Sequence, residues 1–379
     1  MKPQFDTISK ILQNYDLCEY CVGRIISKIV VKQPSKFLGK KYLDRYNKSS
    51  NKKCYICKNL FDTLEHLGIN IVEKLSDFNF KSFDLGIILK PSLLERDDYL
   101  KSKFKIKGVE NLKFSIAKEL GKKISKKTSV NRNSANPELF IEVNLKDESC
   151  KLLAKPLIVY GRYNKKIRNL PQKQRSCSSC NGIGCHNCEF KGIETIHSIE
   201  GTISNFLINK FDCNQVKINW IGGEDQISLV MGNGRPFFVK LLNPKKRNKI
   251  LRKTYDLNDI SISELKKLNV QPKGFVRFKS EVSITVETRA PILLKQLKKL
   301  KTLENVPIEN LQNKKNFVKH IHKINYKKIG KNQFILDLVA DGGIPIKSFV
   351  QNSNLTPNIS DLIKNECKCI NVDFQNILI

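Results

Sequence analysis

Eight of the twelve cysteines fall into four Cys-x2-Cys pairs. Cys18 and Cys21 are separated by a 32-residue spacer from Cys54 and Cys57, while Cys177, Cys180, Cys185 and Cys188 crowd into one short loop. Each pair sits on a tight turn that can aim both sulfurs at one ion, so four thiolates at these spacings suit a tetrahedral zinc. All four positions of each set are filled, which reads as structural zinc, one or two ions per chain. Reduced core cysteines or a redox pair are the alternative. Disulfides do not fit a chain of this size whose N-terminus lacks the apolar core of an export signal. Cys150, Cys213, Cys367 and Cys369 are left over and read as small buried hydrophobes.

A second chemistry is open to Asp225, which follows Gly222 and Gly223 and precedes an apolar run. Glycines let a backbone come close to a ligand, and a carboxylate there can serve as nucleophile or base. Taken alone, a loop aspartate is more often a solvated turn residue, so the surrounding elements must supply the cleft.

Those elements read as follows. Residues 1–60 hold the split cysteine site, with the helical pattern ISKILQNYDL before the first pair and CVGRIISKIV after it; so small a segment needs zinc for its stability. Residues 61–171 alternate strands (FDLGIILKP, ELFIEVNLKD, KLLAKPLIVYGRY) with a basic amphipathic helix, GVENLKFSIAKELGKKISKKT. Residues 172–192 form the four-cysteine linker. Residues 193–379 form a larger α+β region in which VRFKSEVSITVET alternates as a half-buried strand. Asn233 and Gly234 lie between two apolar runs and predict a β-hairpin; Asp341, Gly342 and Gly343 predict a second. The fold class is α+β, with a mixed, mostly antiparallel sheet and helices on one face.

With 68 Lys and Arg against 36 Asp and Glu, the formal charge is +32. Such an excess repels itself unless a polyanion accepts it, and nucleic acid is the commonest intracellular polyanion. Two runs stand out. Lys240, Lys245, Lys246, Arg247, Lys249, Arg252 and Lys253 have no acid among them, and eleven Lys between Lys295 and Lys331 face only Glu304 and Glu309. Both are expected to contact phosphates. No apolar run approaches the roughly 18 residues of a membrane span, so the expectation is a soluble, cytoplasmic protein without membrane partners.

LIVYGRYNKKIRNLPQ, the four-cysteine loop and SIEGTI resemble, in that order, motifs of the archaeal tRNA pseudouridine synthases of family ten. GGEDQISLVMGNGRPFFVKLLNPKKR, GGIPIKSFV and the N-terminal LCEYCVGR are similar to further motifs of that family. The resemblance spans nearly the whole chain. It implies a zinc-containing, THUMP-type RNA-binding N-terminal part, a pseudouridine synthase catalytic domain, and isomerisation of uridines 54 and 55 in the T arm of tRNA without an organic cofactor. A monomer is expected.

Residue by residue, the family motifs place the catalytic aspartate at Asp225, with Lys347 as its counter-charge. Gly222, Gly223, Arg235 and Pro345 fall at the substrate, and Glu281 or Val282 stands where the family has a strand tyrosine; Val282 is taken as the substitute for that base-stacking group. Arg162, Lys165, Lys166, Arg168, Lys245, Lys246, Arg247, Lys314, Lys315, Lys319 and His320 are expected on RNA. The family's arginine before Glu224 is Gly223 here, and the tyrosine before Ile346 is Pro345. These departures fall on the catalytic half and keep a second reading open, a catalytically impaired tRNA-binding protein. A third, an adenosylmethionine-dependent RNA-modifying enzyme, would need a Gly-rich turn after a strand, and no convincing one is present.

Overall fold

The computed structural model describes residues 2–26, 34–48, 52–194, 197–272, 274–310, 318–351 and 354–379. It divides into two units: residues 1–155 with 245–248, and residues 156–244 with 249–379. The strand Leu157–Lys165 and the residues after it up to 171 therefore belong to the second unit, while 61–155 belong to the first.

In the first unit the helices Glu19–Ile26 and Ser35–Arg45 meet backbone to backbone. A β-carbon on Gly23 would overlap the Ser35 carbonyl, and one on Gly39 would overlap that of Glu19. The cysteine segment does not stand alone: Cys21, Cys54 and Cys57 share one core with Phe83, Ile116 and Ile141 of the sheet and its helix. That sheet has four strands, with Ser82–Ile88 parallel to Leu139–Asn144 and the latter antiparallel to Ser149–Ala154. Helix Leu112–Thr128, the expected amphipathic helix, buries Leu112, Ile116, Leu120 and Ile124, and Asn111 caps it. The buried Arg24 ties the cysteine segment to this core, bonding Asp97 of helix Pro91–Lys103 and the Glu110 carbonyl at 2.8 Å.

The second unit is built on an eleven-stranded sheet. Among the described residues its strand-to-strand pairings are antiparallel except Val372–Phe374 of strand Cys367–Leu378 beside Ser228–Val230 of strand Ser228–Leu242. The sheet is mixed and mostly antiparallel. Lys279–Thr288 buries every second residue, in keeping with its alternating sequence.

Neither glycine hairpin forms. Asn233 and Gly234 lie inside the continuous strand Ser228–Leu242, where Gly232 and Gly234 take φ of 51° and 74° and make a bulge. The Arg162 guanidinium fills it, donating to the Gly234 and Ile377 carbonyls at 2.9 Å each, and Asn164 donates to the Gly232 carbonyl at 3.1 Å. After Asp341 the chain turns at Gly343, φ 94°, into the helix Ile346–Gln351, so IPIKSFV is largely helical. Positive-φ glycines serve a bulge or a strand-to-helix turn as well as a hairpin, and partners remote in sequence decide which.

Gly39→Ala should push the two N-terminal helices apart and destabilise the first unit by on the order of 1–3 kcal/mol. A lowered denaturant midpoint with unchanged slope is the expected result; an unaltered midpoint would contradict the backbone contact.

Candidate active site and metal centres

Asp225 lies on the segment between strands Gln215–Trp220 and Ser228–Leu242, beside the parallel strand pairing. Polar groups from Lys165 to Gln172, together with Arg235, hold most carbonyls of this segment. Lys165, 1% exposed, donates through Nζ to the Asp225 and Gln226 carbonyls at 3.2 and 2.9 Å. Arg168 donates to the Ile227 carbonyl at 2.6 Å while paired with both Asp373 carboxylate oxygens. Asn169 donates its backbone N–H to the Gln226 carbonyl at 2.7 Å, and Gln172 donates to the Gly222 carbonyl at 3.4 Å and to the Tyr163 hydroxyl at 2.9 Å. Burial raises the Tyr163 phenol pKa well above its usual range and lowers that of the Lys165 ammonium.

Glu224, next to Asp225, is wholly buried and pairs with Arg235 Nε at 2.9 Å. Arg235 also donates to the Ile221 carbonyl and lies 4.4 Å over the Phe374 ring. Gly222, φ 76°, is held so near Phe278 and Arg235 that a β-carbon would come within 2.6 Å of the phenyl ring and 2.7 Å of the guanidinium. Asp225 itself points outward. Its Oδ2 is 3.3 Å from Lys347 Nζ, with both side chains partly exposed, and both residues line a cleft of about 520 Å³ together with Gln172, Lys173, Arg175 and Gly223. Gly223 also lines a neighbouring 230 Å³ cavity with Arg235, Phe278, Ser280, Pro345 and Phe374.

Asp225, Lys347, Gly223, Arg235 and Pro345 are thus brought together, and Gly222 supports them. The other assigned residues are placed as follows. Val282 is 2% exposed in the core and faces neither space. The cavity's aromatic rings are Phe374 and Phe278, the latter just before strand Lys279–Thr288 and two residues before Ser280; the period-two spacing Phe278, Ser280, Val282 was the signal that could have found it. Arg162 and Lys165 are buried on backbone carbonyls, which leaves neither open to phosphate, and the partly exposed Arg168 is engaged with Asp373 and Ile227. Arg247 is buried and bonds the Lys155 carbonyl, and burial lowers its pKa. Lys245 approaches Asp77 and the Phe78 ring, so the first cationic run is not one continuous face. Lys246 lies in the same segment of the first unit. Lys166 pairs with Asp256 at 2.6 Å on the surface. Lys319 lies over the Phe275 ring, and His320 donates its backbone N–H to Asp341, whose other oxygen meets His322 Nε2 at 3.0 Å. Lys314 and Lys315 lie outside the described residues.

Both four-cysteine sets converge, each with all sulfurs within 4.8 Å of one another. A zinc ion about 2.3 Å from each thiolate sets the sulfurs about 3.8 Å apart. The observed separations include 3.5 Å for Cys18 and Cys57, 3.9 Å for Cys177 and Cys185, and 3.8 Å for Cys180 and Cys188. In the second set, backbone N–H groups of Gly184, Cys185 and Gly192 donate to sulfurs at 3.2 Å. Such donors favour thiolate; the Cys185 N–H leads those that lower the Cys188 pKa to about 6. Both sets fit zinc, which would cross-link the chain segments that carry them.

The C-terminal family model described as "Pus10, C-terminal" matches residues 158–377, and the archaeal Pus10 THUMP model matches residues 69–144. The chain belongs to the Pus10 family of tRNA pseudouridine synthases. A Pus10 tRNA pseudouridine synthase of Nitrosopumilus maritimus is 42% identical over 97% of this chain and 96% of its own length. Another Pus10, of Cenarchaeum symbiosum, is 30% identical over 97% of this chain and 91% of its length. Among solved structures, a chain of the archaeal box H/ACA sRNP Nop10-Cbf5 complex is a distant likeness, 10% identical over 57% of this chain and 47% of that one at a TM-score of 0.29. The match of the Pus10 C-terminal model begins in the strand that carries Lys165, which holds the Asp225 and Gln226 carbonyls. Among the described residues no helix is long and apolar enough to cross a membrane.

Metal analysis of protein prepared without added zinc should return close to two zinc per chain. Cys54→Ser and Cys185→Ser should each remove one, the former with a large loss of stability because its site lies in the first unit's core. Two zinc ions retained in either variant would contradict the assignment.

Proposed function

We propose that the chain isomerises uridines 54 and 55 in the T arm of tRNA, with Asp225 as the catalytic carboxylate. The observation that carries this is the Asp225–Lys347 pair at the lip of a cleft, on a segment whose carbonyls are pinned by Lys165, Arg168 and Gln172. Isomerisation breaks the N1–C1′ bond, joins C5 to C1′, removes the C5 proton and returns a proton to N1. A carboxylate at the ribose face serves as nucleophile at C1′ or as base toward the sugar, and the same group can relay the proton. Rigidity matters because the detached base must turn while its ribose stays fixed.

Phe278 takes the part expected of Val282. Its ring is wedged between Gly222 and Gly342, where a β-carbon at either position would collide with it, and it offers a flat apolar wall to the neighbouring cavity. A uracil turned out of its helix can stack there. Lys347 orients Asp225 by charge; at this exposure the pair contributes little to stability. Affinity for tRNA comes from exposed cations, among them Lys173, Arg175 and Lys249.

Asp225→Asn preserves shape and deletes the negative charge. It should abolish pseudouridine formation in an unmodified tRNA transcript, mapped chemically, while affinity for that transcript stays within about twofold, since phosphate contacts lie elsewhere. Wild-type turnover by this variant would refute the mechanism. Phe278→Leu should slow turnover on the order of tenfold or more at unchanged salt dependence of binding, whereas Val282→Ala should act through stability, costing on the order of 1 kcal/mol.

A further inference from the structure

The four-cysteine loop does more than close on a metal. It displays Ile183 at 89% and Phe190 at 67% exposure. Phe190 is held at φ 59° and Glu189 before it at φ 51°, a left-handed backbone that bulky residues rarely adopt. The His186 ring braces Phe190 from 4.9 Å, nearly edge-on. The ends of the loop are clamped by the Cys177 N–H on the Gly192 carbonyl at 2.9 Å and the Glu194 N–H on the Arg175 carbonyl at 3.0 Å. The same Arg175, with Pro171 to Gln174 before it, lines the Asp225 cleft. The apolar tip and the cleft are thus two ends of one short, anchored segment, and Lys173 and Arg175 stand exposed between them.

We propose that this loop is a second RNA-reading surface, on which Ile183 and Phe190 stack against an unpaired nucleotide near the one lodged in the cleft. The proposal rests on the RNA-modifying function argued above. A base offers a flat apolar face to a side chain while its phosphate meets the cations beside it, and zinc-held loops of this size suit that task. Two side chains are far too small for a stable protein interface, which needs about 800 Å² per partner. Continuity with the cleft and the adjoining cations therefore select a nucleotide of the same RNA.

The test measures affinity for an unmodified tRNA transcript in the Asp225→Asn background, so that the result stands whether or not that RNA is isomerised. Phe190→Ala should weaken binding about fivefold or more, and adding Ile183→Ala should weaken it further. The factor should be the same at low and moderate salt, because a lost stack releases no counterions. Zinc content should stay that of the parent, since both side chains are exposed and neither belongs to the four-cysteine set. Phe190→Trp should bind at least as tightly as the parent. Parental affinity in the double variant overturns the proposal, as does Phe190→Trp losing as much as Phe190→Ala. Should the double variant lose zinc, the Trp and Ala single variants decide. A concentration-dependent dimer of the native chain that Phe190→Ala abolishes would also overturn it, assigning the surface to a second copy.

Discussion

The buried ion pair between Arg235 and Glu224 is the constraint on which the candidate site depends. Two charges at 1% and 0% exposure pay a heavy desolvation cost that their attraction only partly returns, so such a pair is a weak source of net stability. Its consequence is positional. Removing either partner would strand a buried charge, at about 3–5 kcal/mol, so the arrangement admits few alternatives. Arg235 therefore holds Glu224, the Ile221 carbonyl and the Phe374 ring in one place, and Asp225, the next residue along, has little freedom except in its own side chain.

Around that pair the second unit uses cations as internal struts. Arg162 fills a strand bulge, Lys165 grips two carbonyls and Arg168 bridges a carbonyl and Asp373. Each of these was legible in the sequence as a cation in a dense motif, and the resemblance assigned them to RNA. Spacing cannot tell a strut from a phosphate contact, because both need a cation and only burial separates them. The cysteines behaved oppositely. Metal coordination is local, four sulfurs on two short turns, so both complete sets could be read directly and the structure brings each together. Strand Lys279–Thr288 was equally legible, since its alternation is a property of the strand itself.

The glycine turns fall between these cases. Asn233-Gly234 carries a strong hairpin signal, yet the chain continues as one bulged strand, because Arg162 from one neighbouring strand and Asn376 from another occupy the groups a hairpin would use internally. Gly342 and Gly343 do make a turn, but the room they leave goes to the Phe278 ring and to a helix carrying Lys347. In both places the deciding partner lies far away in sequence, and local pattern could not supply it.

The departures from the family motifs gain a physical meaning in this setting. Gly223 has only the Gln172 amide oxygen within 4 Å of where a β-carbon would stand, so the backbone tolerates the arginine that the resemblance leads one to expect. Its absence removes a cation from the shared wall of the cleft and the cavity, and leaves Lys347 as the cation beside Asp225. Where the strand tyrosine is missing, Phe278 still lines the cavity from just before the same strand. A cation and an aromatic ring are therefore both retained at the site, though at different positions. An impaired site would be free to lose the costly buried supports of its loop; here Lys165, Gln172, Glu224 and Arg235 all remain engaged on the segment that carries Asp225, with the partly exposed Arg168 beside them.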